Sequence, residues 1–211
     1  MKLVMLEEQS VPDKLKQTVV ANEQQETSMM RDIGLLILRL VIGGLQAGHG
    51  SQKLFGWFSG PGLKGTAGFL ESMGLKPGTP WATAAAASEF GGGTLTTLGF
   101  LHPLGPLGTI GAMVMATAKA HWGKPIWASQ GGAELPVMNM AAALALMLTG
   151  PGRFSLDRVF GIRLPRALVI AIAVVEAVVL AYGILKRPET APAPTSQDEV
   201  DVGIGTGKGA R

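Results

Sequence analysis

Five apolar runs set the pattern of this chain, at residues 33–48, 81–101, 104–120, 135–148 and 167–185. Glycine, proline and charged residues punctuate the segments between them. Crossing a bilayer takes about 20 helical residues, with a range near 17–25. The second, third and fifth runs are that long. The first reaches the length if its helix continues past His49, and the fourth if 132–149 is all helical. A soluble helix needs a charged outer face, and these runs have none. The pattern therefore predicts an all-α fold, a multi-pass transmembrane helical bundle of five spans.

Polar residues inside the runs are few and placed in register. At about 100° per residue, Arg39, Gln46, His49 and Lys53 fall within a stripe of roughly 80° on the first helix. Gly44 and Gly48 lie near its opposite side, where another helix has room to approach. On the second helix Glu89, Gly92, Gly93 and Thr96 share one small, polar face. Gly108, Ala112, Ala116 and Ala120 make a small-residue seam on the third. Glu134 opens the fourth helix, where an acid suits the helix dipole. The fifth carries one acid, Glu176.

Composition sharpens this picture. The 211 residues include no cysteine, 30 glycines and 16% charged residues, with mean hydropathy +0.31. Soluble domains average about 25% charged residues. Without cysteine there is no disulfide, no thiol redox chemistry, no cysteine-ligated iron–sulfur cluster and no covalent haem attachment. The net charge of +3 is ordinary for a membrane protein, and no basic patch with interleaved aromatics points to nucleic acid.

Four segments organise the chain. Residues 1–30 are a polar extension lacking the apolar stretch of a secretory signal. Residues 31–160 hold four of the runs, 161–187 the additional fifth helix, and 188–211 a Pro-, Thr- and Gly-rich tail expected to be disordered. Between the first two runs, Phe55, Trp57 and Phe58 suit an interfacial belt, and 66–73 is expected to form a short interfacial helix. The arginine cluster between Arg153 and Arg166 favours a cytoplasmic N-terminus and an external C-terminus.

The motifs RLVIGG…HGSQKLFGWF, GPGLKGTAGFLESMG, ASEFGGGTLTTLG, GGAELP and TGPGRFSLD follow one another over residues 33–157. In this order they resemble the DoxX family of small bacterial membrane proteins. The resemblance implies a four-helix membrane core in the inner membrane, to which this chain adds a fifth helix. It also implies a redox setting, since the family takes its name from a subunit of a thiosulfate:quinone oxidoreductase. A quinone is thus the candidate cofactor, and a soluble oxidoreductase subunit the candidate partner beside the lipid bilayer and a homo-oligomer. If catalytic at all, the chain is expected to be one subunit of a quinone-linked enzyme. The alternative is a membrane scaffold or small-molecule carrier that recruits soluble redox partners. The Gly-rich ASEFGGG is no dinucleotide fingerprint, because it lies inside an apolar helix rather than after a strand.

Arg39 and Glu89 each fall near the middle of a run, where a lone charge costs about 2.5–3.5 kcal/mol on insertion scales. They are expected to pair directly, with Gln46 completing an intramembrane polar site. A structural ion pair is the favoured role, and a proton- or quinone-handling site the alternative. His49, Lys53 and His121 are placed at the mouth of that site, on one side of the membrane, where a quinone headgroup takes hydrogen bonds. No metal-ligand spacing such as HxxxH occurs, although His49, His121 and Glu134 have the residue types to converge. Glu176 is expected to partner another helix or a second chain.

Overall fold

Helix α1 (Asp13–Phe55) runs for 43 residues without a break, about 65 Å at 1.5 Å per residue. In the computed structural model residues 13–186 are described. Residues 1–12 and 187–211, including the tail expected to be disordered, lie outside the described residues. The polar extension is thus helical from Asp13 and continuous with the first apolar run. Neither glycine nor proline interrupts 13–33, and its Lys, Gln, Glu and Ala residues favour helix.

The remaining helices are α2 (Gly62–Ser72), α3 (Gly78–Leu98), α4 (Leu104–Ala116), α5 (Glu134–Thr149), α6 (Leu156–Phe160) and α7 (Arg166–Leu185). All regular structure among the described residues is helical. Helix α4 is prolonged by a π-helical turn, Thr117–His121, and α2 is the short helix expected near 66–73. Helix α6, a single turn after the fourth run, has no counterpart in the hydrophobic pattern.

Helix α1 packs antiparallel on α3 through glycine, but not through Gly44 and Gly48. A methyl group at either of those would meet nothing within 4 Å. The close approach is made by Gly43, whose added Cβ would lie 2.6 Å from the Thr97 amide nitrogen, and by Gly50 and Gly93. Helix α4 packs antiparallel on α3 in turn, with Gly105 against Thr96 and Gly108 against Ser88. The α1, α3, α4 and α5 helices enclose the interior, and α2 lies across α1 and α3. Helix α7 leans on the outside of α4, with Gly111 beside Glu176 and Gly183 beside Met115. Those pairings run in the same direction, so α7 is parallel to α4.

Helix α7 is long and apolar enough to cross a membrane, with mean hydropathy 2.7 and only 6% of that window buried. It is the one described helix that meets both criteria, and α5 is apolar but shorter. The other helices show the distribution of an inside-out protein. Ile37, Leu40, Val41 and Leu45 of α1, and Met138, Leu144 and Leu148 of α5, are exposed. Asp32, Arg39, Gln46, Glu89, Thr96 and Thr109 are buried.

Candidate functional site: a polar seam and two cavities

Asp32, Arg39, Gln46 and Lys53 recur at seven-residue spacing along α1, so they stack on one side of the helix about 10.5 Å apart. The first three are at most 2% exposed. The pattern on α1 pointed to three of these four. Asp32 was missed, although it lies only about 20° from Arg39 on the same stripe.

The expected Arg39–Glu89 pair does not form. Antiparallel packing sets Gly43 against Thr97, Ala47 against Gly93 and Gly50 against Phe90. In that register Arg39 stands level with Gly99, and Glu89 with the residues around Ser51. Arg39 instead donates from Nη2 to the Phe154 carbonyl, with the Asp157 charge nearby. Glu89 is paired with Lys53, a part-buried ion pair in which the carboxylate side chain is 4% exposed and the lysine 32%.

Two polar groupings result, one toward each end of the bundle. Around Arg39, the segment after α5 is clipped to the α3–α4 turn. Asp157 accepts from the Leu101 and His102 amides at 2.8 Å each, and its own amide donates to Gly99 O at 3.0 Å. Ser155 caps α6 by accepting from the Arg158 amide, and Asp32 accepts from the Arg153 amide at 3.3 Å. The TGPGRFSLD motif is therefore a docking segment, and Arg39 is the guanidinium that holds it. Burial there draws the His102 imidazole below its ordinary value, against its contact with the Met147 backbone and the charge of Asp157.

At the other end, Gln46, His49, Lys53, Glu89 and His121 line one cavity of about 260 Å³, together with Asn139. Five of the six residues expected in the site are thereby brought together, and Arg39 is not among them. His121 Nδ1 donates to Gly131 O at 2.7 Å, which leaves Nε2 as an acceptor. His49 Nδ1 lies 3.2 Å from Gln52 Oε1. Glu134 turns away and accepts from the Ala128 amide at 2.8 Å. Among the described residues no three of His, Cys, Asp and Glu stand together as a metal site would need. Asn139 carried no signal in sequence, since one amide in an apolar run has no partner until the helices meet.

Lys53 and Glu89 also line a second cavity, about 420 Å³ and mostly apolar, bounded by α2, α3, α4 and α7. The ion pair is thus part of the wall of both spaces. Two buried atoms on residues lining the smaller cavity have no hydrogen-bond partner, Gln46 Nε2 and Glu89 Oε2. One is a donor and the other an acceptor, each on a residue no more than 3% exposed. Unpaired buried groups of this kind are costly, and a ligand or water is their ordinary remedy. Glu176 faces the apolar cavity from α7.

Residues 34–122 match the family model described as DoxX, which covers α1 from Gly34 through the end of the π-helical turn. The GGAELP and TGPGRFSLD segments lie beyond the matched residues. No curated protein and no solved structure matches the chain.

Proposed function

We propose, for a chain that belongs to the DoxX family through residues 34–122, the role of a quinone-associated subunit or membrane anchor of an oxidoreductase. DoxX is a membrane family, and α7 is suited to crossing a bilayer. The finer placement, a multi-pass protein of the bacterial inner membrane with five spans, rests on the inside-out distribution of polar and apolar residues. Buried ionisable groups ringed by lipid-facing apolar side chains mark the inner surface of a membrane bundle. The parallel course of α7 and α4, which sets the end of α7 opposite the start of α1, supports that topology.

One observation carries the quinone reading. A smaller cavity into whose wall six polar side chains are set and a larger, mostly apolar one meet at the Lys53–Glu89 pair, beside an unpaired donor and an unpaired acceptor. An amphiphile with a small polar ring and an isoprenoid tail fits that division. Gln46 Nε2 is suited to donate to a quinone carbonyl, and Glu89 Oε2 to accept from a quinol hydroxyl. His49 and the free Nε2 of His121 supply further polar contacts at the mouth, and the apolar wall between α2, α4 and α7 excludes water from the tail. The quinone, when bound, supplies two-electron redox chemistry that the polypeptide lacks. The polar, exposed stretch of α1 from Lys14 to Arg31 offers a surface for a soluble partner subunit.

The test is extraction of the purified protein followed by quantification of quinone. Near-stoichiometric quinone, reduced at least several-fold by Gln46→Leu, is the expected result. Protein that retains its fold, carries no quinone and recovers none when it is added would refute the reading. A soluble partner recovered at fixed stoichiometry from such protein would favour the scaffold.

A further inference from the structure

The far end of the bundle holds a third cavity, of about 540 Å³, between the start of the apolar part of α1 and residues 151–164. Its charged and titratable lining is Arg31, Arg153, Arg158 and Arg163 against Asp32 and Asp157, with His102 at its edge. The acids are already engaged. Both oxygens of Asp157 take backbone amides, and Asp32 faces Arg31 at 3.7 Å and Arg153 at 4.0 Å. Arg158 and Arg163 are exposed, and neither guanidinium has an ion-pair or hydrogen-bond partner among the described residues. The cavity therefore presents two uncommitted guanidinium groups and an excess of two positive charges.

Guanidinium forks match the oxygens of phosphate, which they bind in pairs of parallel hydrogen bonds. What surrounds this cavity selects the source of the phosphate. Helix α6 turns Val159 and Phe160 outward, 72% and 65% exposed, directly beside Arg158. Helix α7 begins at Arg166 and presents Leu168 and Ile170 as the first lipid-facing residues of its apolar length. The free arginines thus sit at the edge of an apolar surface, with an apolar wedge next to them. We propose that this cavity binds the phosphate of an anionic phospholipid headgroup, held by Arg158 and Arg163, with Val159 and Phe160 against the acyl chains. Basic pockets between helices recognise anionic headgroups by this chemistry. The site lies at the opposite end of the bundle from Lys53 and Glu89 and is independent of any quinone there.

The full-length protein in neutral detergent would be titrated with phosphatidylglycerol, with phosphatidylcholine and with inorganic phosphate. Bound lipid and melting temperature are the readouts. Phosphatidylglycerol should bind and stabilise where phosphatidylcholine does not, and 0.5 M salt should release it. The double variant Arg158→Gln with Arg163→Gln should weaken phosphatidylglycerol binding roughly 25-fold, about fivefold for each charge removed. Equal retention of both lipids, or binding indifferent to salt, overturns the proposal with no variant needed. A folded double variant that binds like the parent also overturns it. Inorganic phosphate acting at the same concentrations as the lipid would make this a free oxyanion site and refute the lipid assignment.

Discussion

Replacing Lys53 by methionine removes the partner of a carboxylate that is 4% exposed at its side chain. Breaking a buried pair costs about 3–5 kcal/mol, because one charge is left without compensation. The two halves of this pair are not equivalent. Lys53→Met strands Glu89, which is nearly buried but lines two cavities that water can enter, so its cost belongs near the lower end of that range, about 3 kcal/mol. Glu89→Gln strands Lys53, which is 32% exposed and on a flexible stem, so its ammonium can turn to the headgroup level. That change should cost only about 1 kcal/mol, as for a lost part-exposed pair. With both residues changed, no charge is stranded, and the double variant should lose much less than the sum, leaving a coupling of about 2 kcal/mol. The control is Arg39→Met with Glu89→Gln. Arg39 is level with Gly99, ten residues or about 15 Å along α3 from Glu89, so those effects should add. The measurement is reversible unfolding in mild detergent, read as a double-mutant cycle. Additivity between Lys53 and Glu89, or strong coupling between Arg39 and Glu89, would refute the register on which the site is built.

Helix contacts make a sharp contrast among glycines of one helix. Gly43→Val should destabilise by about 1–3 kcal/mol, since its Cβ has backbone within 2.6 Å, whereas Gly44→Ala and Gly48→Ala should gain up to about 1 kcal/mol of helix propensity in melting experiments. Stability should fall as pH drops below about 6.5, because the His102 imidazole is drawn down by burial and the unfolded chain takes up the proton first. The loss should level off below the folded-state value, and His102→Gln should flatten this part of the profile; an unchanged slope would show another group at work. Reporter fusions at Pro151 and immediately after Lys186 should respond oppositely if α7 crosses the bilayer, and matching responses would lay it in the interface. Asp157→Asn should loosen the segment after α5 and expose the Leu101 and His102 amides to hydrogen exchange, with little effect on quinone content.

Local pattern alone was enough for the helices, because apolar length and glycine–proline punctuation are properties of neighbouring residues. The five runs became α1, α3, α4 with its π turn, α5 and α7, and the helix expected over 66–73 became α2, which starts earlier and ends at Ser72. The same pattern marked the polar stripe of α1, since the 100° step is a local geometry. The sequence also singled out five of the six polar side chains that line one cavity, all but Asn139. Partnership between helices is a different matter. Whether Glu89 meets Arg39 or Lys53 depends on the axial register of α1 against α3, and that register comes from where Gly43, Gly50 and Gly93 let two backbones touch. Gly44 and Gly48 look equally permissive as letters, yet they face outward. The docking of Asp157 onto the α3–α4 turn, and the second cavity closed by α7, join residues more than fifty positions apart. Contacts of that kind carry no periodic signature. They exist only once the packed helices have brought a lone acid and two free amides to one place.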